Sequence, residues 1–243
     1  MMLTALRKTV SNAKTMVALS ASGGLAPVRR VKAERLSYLS YRKYVQICQT
    51  IKALKANATP GDYLEAGCAL GGSSIVIGTL KPTGPAFQVY DVFGMIPPPT
   101  ADDPPDVIER YKVIVAGQSK GLQGDTYYGY IADLYEVVQG NLTRHLTPAQ
   151  RAGIHLNKGL LQDTMVINRP VAFAHIDVDW YDPVMVSLQR IMPHLSVGGA
   201  IILDDYFDWG GCRKAVDAYL AENPSLKLAR DTHYGNLKLT RLA

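Results

Sequence analysis

PVAFAHIDVDWYDPVMVSLQRIMPHLSVGGAIILDDY, residues 170–206, is the stretch that decides the fold. PVAFAHI is a short apolar run that reads as a strand buried on both faces. PVMVSLQRIMPHL (183–195) follows with apolar residues at helical spacing, and Pro183 falls in the first turn, where a missing N–H costs nothing. SVGG then turns into AIILDDY, a second buried strand. Strand, helix and strand in this order make the repeating unit of a parallel sheet.

Both strands end in acids. Asp177 and Asp179, two residues apart, leave the first strand pointing to one side, and Asp204-Asp205 leave the second. Ligands of open parallel sheets gather at the carboxyl ends of the strands, so these four carboxylates share one crevice. Like charges held together need a counter-charge, a shared proton or full solvation. No lysine or arginine lies within these two strand ends to supply the charge. Oxygen-only ligands with open positions suit Mg²⁺, and a bound Mg²⁺ is the expectation. The alternative is that the acids cap the helices that follow.

Upstream, YLEAG starts a strand that runs into CALGGSS, with SSIVIGTLK as a helix. Glycines there let backbone approach a ligand closely, and the helix start offers unpaired N–H groups. A dinucleotide site wants G-x-G-x-x-G. Here Ala69 replaces the middle glycine, and Glu65 stands two residues before Gly67. An acid would repel a pyrophosphate but suits a ligand with a cationic amino group. E-x-G-x-x-x-G is the pattern used for S-adenosylmethionine, with tight strand-to-helix packing as the alternative. Asp91, ending the strand FQVYD, stands where a carboxylate accepts from ribose hydroxyls, or else caps a helix or sits in a solvated loop. Asp163, after the weak strand IHLNKG, stands where an adenine edge would lie, with solvation as the equal alternative.

Residues 36–55 read as a helix, VFGMIPPPTADDPPD as a loop, and 107–150 as mostly helical with a break at 117–125. LKLAR and LKLTR form a closing antiparallel pair. The expected fold is α/β, a mostly parallel Rossmann-like sheet with helices on both faces. Residues 36–243 make one domain, with 97–150 inserted as a lid.

Residues 1–35 form a basic N-terminal arm: seven lysines and arginines against Glu34 alone give it +6 of a net +5, leaving −1 elsewhere. The plain reading is a poorly ordered arm, or one that contacts a second copy in a homodimer. A transit peptide or surface helix is the alternative. A basic arm alone does not make a nucleic-acid enzyme, and no nucleic-acid partner is expected. No apolar stretch approaches the roughly 20 residues of a membrane span. Cys48, Cys68 and Cys212 lack metal-ligand spacing, which predicts a reducing, cytoplasmic setting.

Taken together, GDYLEAGCALGGSS, YDVFGM and AHIDVDWYDPVMVSLQRIMPHLSVGGAIILDDYFDWGGCRKAVDAYL resemble the sugar O-methyltransferases of the macrocin, mycinamicin and novobiocin type. The resemblance runs from about residue 58 to 220 and is loose across 97–150. It implies a class I methyltransferase using S-adenosylmethionine and Mg²⁺, with a sugar or other diol-bearing small molecule as hydroxyl acceptor. Asp177, Asp204 and Asp205 match its metal ligands and Asp179 its proposed general base. Glu65, Gly67 and Ser73 match its cofactor loop, and Asp91 its ribose contact. CALGG departs from the bulky residues usual in that loop, and the acceptor-facing lid does not match. A catechol-directed methyltransferase would use a similar metal site. A metal-dependent phosphotransferase or hydrolase would need a phosphate-binding Lys or Arg at the crevice, and the sequence places none there. A non-catalytic cofactor-binding module is the remaining rival. His175, inside the strand, reads as structural, and Trp180 and Tyr181 either stack on a sugar or pack at the rim.

Overall fold

The computed structural model describes residues 2–243, with side chains from Ser11 onward, so Arg7 and Lys8 of the basic segment lie outside the described side chains. In chain order come α1 (Met2–Ala21), α2 (Leu25–Ala33), α3 (Tyr41–Ala56), β1 (Asp62–Ala66), α4 (Gly72–Leu80) and β2 (Phe87–Asp91). The insertion carries α5 (Pro105–Val115), α6 (Leu134–His145) and α7 (Pro148–Arg151). Next are β3 (Ile154–Lys158), α8 (Leu161–Thr164), β4 (Val171–Ile176), α9 (Tyr181–Ile191) and β5 (Leu195–Leu203). The chain closes with α10 (Gly210–Glu222), β6 (Leu228–Asp231) and β7 (Leu237–Arg241).

The seven strands lie in the order β3-β2-β1-β4-β5-β7-β6. β1 to β5 are parallel, and β7 runs antiparallel to both β5 and β6. The expected α/β sheet and its closing pair are both present. The order reverses between β1 and β4, which opens a crevice at their carboxyl ends.

Alternating side chains divide the core in two. Tyr63 and Phe173 face α3, α4 and α6, while Leu64, Ala174 and Ile176 face α8, α9 and α10. The register pairs Glu65 with His175 across β1 and β4, and His175 with Ile202 across β4 and β5. Polar Glu65 and His175 therefore sit side by side within an otherwise apolar sheet.

The basic N-terminal segment is not a loose arm over its described side chains. Leu19, Val28 and Val31 are fully buried, and α1 and α2 pack on α3 and α4. Lys32 Nζ donates to the carbonyls of Ser37 and Leu39 at 3.0 and 2.9 Å, which seats the extended stretch before α3. The sequence charge suggests a poorly ordered or dimer-contacting arm because apolar residues spaced through two helices give a weak pattern beside so many cations. Leu19→Ala is expected to cost about 2–5 kcal/mol, seen as a lower denaturation midpoint. An unchanged midpoint would mean that this packing contributes nothing.

Among the described residues no helix is long and apolar enough to cross a membrane. Cys48, Cys68 and Cys212 are free and buried, and burial raises all three thiols, Cys48 to about 12.

Candidate active site

A cavity of about 530 Å³ lies at the crevice between β1 and β4. Gly67, Ala69, Asp91 and Gln162 line it, and Asp177, Asp179, Asp204 and Asp205, at the strand ends, form its floor. Tyr38, Arg110, Tyr127 and Trp209 line it as well.

The turn after β1 depends on left-handed backbone. Gly67 and Gly71 have φ of +81° and +82°, and Ala69 takes +46°. A Cβ on Gly67 would come within 1.9 Å of the Asp177 carbonyl oxygen, so glycine is what lets the β1 and β4 ends meet. Asp91 accepts from the backbone N–H of Cys68 through Oδ2 and of Phe93 through Oδ1, both at 2.8 Å. Burial outweighs these donors and raises its carboxyl. Asp91 thus shapes the turn and still faces the cavity.

Three expected cofactor residues do not line it. Glu65 is fully buried, one oxygen taken by the Ser74 hydroxyl and the other by His175 Nδ1 at 2.9 Å. Its carboxylate is spent inside the fold, not on a ligand's amino group. Ser73 is buried in the first turn of α4 and stays behind the cavity wall. Asp163 points to solvent from α8, while its neighbour Gln162 lines the cavity. One residue along a helix turns the side chain by about 100°, which sequence position after a strand does not resolve.

The floor holds more carboxylates than local cations can balance. Asp177, Asp179 and Asp205 each bring one oxygen within 4.8 Å of the others. Asp179 has φ +57°, and Trp180 N–H closes on the Val178 carbonyl at 2.6 Å around it. Such a three-residue turn is strained, and it aims this carboxylate at its neighbours. Asp204, Asp205 and Asp208 form a second such group, and Lys43 Nζ lies 2.6 Å from Asp204 Oδ2 and 2.6 Å from Asp208 Oδ2. His175 Nε2 faces the other oxygen of Asp204 at 3.8 Å.

The protonation tendencies follow from this arrangement. Burial alone would lower His175, but Asp204 and Glu65 outweigh it and push the imidazole up to about 10. Burial would raise Asp204, yet His175 and Lys43 hold it below the ordinary carboxylate range. Asp177, Asp179 and Asp205 are all raised, first by burial, and neighbouring carboxylates add to it; at Asp179 a hydrogen bond with Asp205 and the charges of Arg110 and Lys43 oppose the rise. Part of the missing positive charge therefore comes from Lys43 on α3, and the buried His175 imidazole bridges Glu65 and Asp204. Arg110 and Lys43 partly offset Asp179, yet among the described residues no lysine or arginine forms an ion pair with Asp177, Asp179 or Asp205. Asp205 Oδ2 is buried and has no hydrogen-bond partner.

The proline-rich loop is docked over the site. Asp103 Oδ1 accepts from Tyr181 N–H at 2.7 Å, Asp106 Oδ2 from Gly210 N–H at 2.9 Å, and the Pro97 carbonyl from Trp180 Nε1 at 3.0 Å. Acids at the starts of α9 and α10 suit the positive ends of those helices. Trp180 is 2% exposed and packs edge-on against Trp209, and Tyr181 lies under Lys214 outside the cavity. Rim packing thus describes Tyr181.

Sequence reading missed Lys43, Arg110, Tyr38 and Asp103. It expected no lysine or arginine at the crevice, and the fold brings two there. Lys43 did leave a signal. It stands in the first turn of α3, after the Ser40 cap, where a cation opposes the helix dipole and calls for an acidic partner. For Arg110 there was none.

With this geometry in place, comparison with known proteins is informative. A family model described as Macrocin-O-methyltransferase (TylF) matches residues 35–227. The chain belongs to this family. The macrocin O-methyltransferase match thus covers the five parallel strands, the carboxylate floor and the docked insertion, and stops before β6 and β7. A relative from Streptomyces olivaceus, 8-demethyl-8-(2,3-dimethoxy-alpha-L-rhamnosyl)-tetracenomycin-C 4'-O-methyltransferase, is 29% identical over 182 residues. That match covers 72% of this chain and 63% of the relative, so the chain spans less than two thirds of its length. Demethyldecarbamoylnovobiocin O-methyltransferase of Streptomyces niveus is 24% identical over 193 residues, covering 76% of this chain and 67% of that one. The solved structure of the O-methyltransferase NovP shares the fold, with a TM-score of 0.68 at 22% identity, over 86% of this chain and 83% of NovP.

Proposed function

We propose that the protein is a Mg²⁺- and S-adenosylmethionine-dependent O-methyltransferase acting on a hydroxyl of a sugar or glycosylated small molecule. The observation that carries the reading is the carboxylate trio of Asp177, Asp179 and Asp205 in the same cavity as the Gly67 turn and Asp91. Membership of the macrocin family supports it. One relative is named for a rhamnosyl-bearing tetracenomycin and the other for a demethylated novobiocin, which supports a glycosylated acceptor.

A divalent cation fits this donor set. All donors are carboxylate oxygens, the acids are in excess of nearby cations, and Asp205 Oδ2 is buried without a partner. Asp177 and Asp205 would hold it, with Asp204, already bound by Lys43, completing the set that the family resemblance implies. When bound, Mg²⁺ lowers the pKa of an acceptor hydroxyl and fixes its direction.

The remaining work belongs to the chain. Gly67 and Ala69 line the cofactor end with backbone that a ligand can approach, and Asp91 offers its carboxylate to a ribose. Asp179 takes the acceptor proton on its carboxylate as the methyl group transfers, and burial raises that carboxylate above its ordinary value. Tyr38, Tyr127 and the docked loop exclude water. Alignment of the two reactants supplies on the order of 7–11 kcal/mol of the barrier reduction.

Chelator-treated protein is expected to lose methyl transfer from labelled S-adenosylmethionine to glycosylated acceptors, and added Mg²⁺ to restore it. Full turnover of metal-stripped protein would refute the metal, and failure to bind S-adenosylhomocysteine in a calorimetric titration would refute the reading as a whole.

A further inference from the structure

Arg110, on α5, lines the cavity that Asp179 also lines. Its Nη2 donates to the Ser119 hydroxyl at 2.8 Å, and its guanidinium lies 5.7 Å from the centre of the Tyr127 ring. Ser119 is 7% exposed and is held in turn: its N–H donates to the Tyr130 hydroxyl at 3.1 Å, and that hydroxyl donates to the Ile114 carbonyl at 2.6 Å. The guanidinium is thus fixed by a hydroxyl and an aromatic face. Among the described residues it makes no ion pair and no other hydrogen bond, although its charge is felt at Asp179, which lines the same cavity. The rest of its planar donor fork is unspent.

We infer that Arg110 recognises a carboxylate on the acceptor, so that the preferred substrates are acidic glycosides rather than neutral ones. A neutral hydroxyl needs no guanidinium, whereas the planar fork matches two carboxylate oxygens at once. A phosphate dianion would call for a second cation. The other lysine or arginine lining the cavity, Lys43, is already held by Asp204 and Asp208. One guanidinium without an ion-pair partner, on a rigid seat, therefore fits a monoanion. Its seat on α5 of the insertion would fix which acceptor oxygen meets Asp179.

This inference rests on the acceptor-binding reading of the cavity. The test uses full-length protein loaded with S-adenosylhomocysteine and Mg²⁺. Methyl β-D-glucuronide, methyl β-D-glucoside and glucose phosphate are titrated separately and followed by tryptophan fluorescence. The glucuronide is expected to bind roughly tenfold or more tightly than the glucoside, the range of a charge-assisted pair. R110Q should erase that preference, and R110K should restore only part of it. S-adenosylhomocysteine binding by R110Q at wild-type affinity shows that the variant is folded. Equal binding of the two glycosides, no binding of either, or tighter binding of the phosphate overturns the inference. So does a preference that survives R110Q, which would belong to the metal. Loss of S-adenosylhomocysteine binding by the wild type would instead sink the methyltransferase reading itself.

Discussion

Gly67→Ala is expected to abolish cofactor binding and to lower the thermal midpoint sharply. The added Cβ would lie 1.9 Å from the Asp177 carbonyl oxygen and 2.8 Å from its carbon. Those are backbone atoms of the strand end that carries Asp177 and Asp179, and no rotamer can move them aside. Gly67 also donates to the Tyr90 carbonyl at 2.8 Å, and Asp177 N–H donates to Ala66 at 2.8 Å, so neither strand end can retreat without breaking the sheet. A left-handed residue with a side chain costs about 1–2 kcal/mol, and the overpacking a further 1–3 or more. That is a large share of a typical domain's stability of about 5–15 kcal/mol. Gly71→Ala makes the contrast. It has the same backbone sign, but its Cβ would meet only the Val138 side chain at 3.1 Å, and the loss should be smaller. A Gly67→Ala protein with wild-type midpoint and S-adenosylhomocysteine affinity would disprove the close approach.

Asp179→Asn is expected to bind cofactor normally and to lose turnover by about 10²–10⁴, the usual contribution of a positioned base. Asparagine tolerates the left-handed backbone at this position, so the φ of +57° need not change. The amide differs in that it takes no proton. The structure also groups Asp179 with Asp177 and Asp205, which raises the alternative of a metal ligand. Manganese affinity, read by paramagnetic resonance, separates the two roles. A base leaves that affinity unchanged while turnover falls, whereas a ligand weakens it in step. Unchanged turnover on an acceptor found by screening would remove Asp179 from the chemistry.

Lys43 and Glu65 show where linear reading stops. Lys43 lies 161 positions from Asp204, and only the packing of α3 over the strand ends brings the ammonium to the carboxylate. The absence of a local cation was read as the mark of a metal, and the inference overlooked a cation arriving from another element. Glu65 stands in a motif position, but a motif does not say which way a side chain turns. The β1–β4 register pairs it with His175, and a buried carboxylate beside a buried imidazole binds that partner in preference to a ligand. Asp163 is the same lesson on a helix.

From its sequence alone this protein determined the alternation of strands and helices, the glycine turn after β1, and the four aspartates at the ends of β4 and β5. Each of these is written locally: short continuous apolar runs and helical apolar spacing, glycine where backbone must turn left-handed, and acids where a strand leaves the core. Tertiary structure alone decided which aspartates face one another, that Asp204 is taken by Lys43 and His175, that Arg110 enters the same cavity as Asp179 without an ion-pair partner, and that the proline-rich loop is docked. Charge pairing and side-chain direction depend on distances across the fold, and those exist only once the elements have packed.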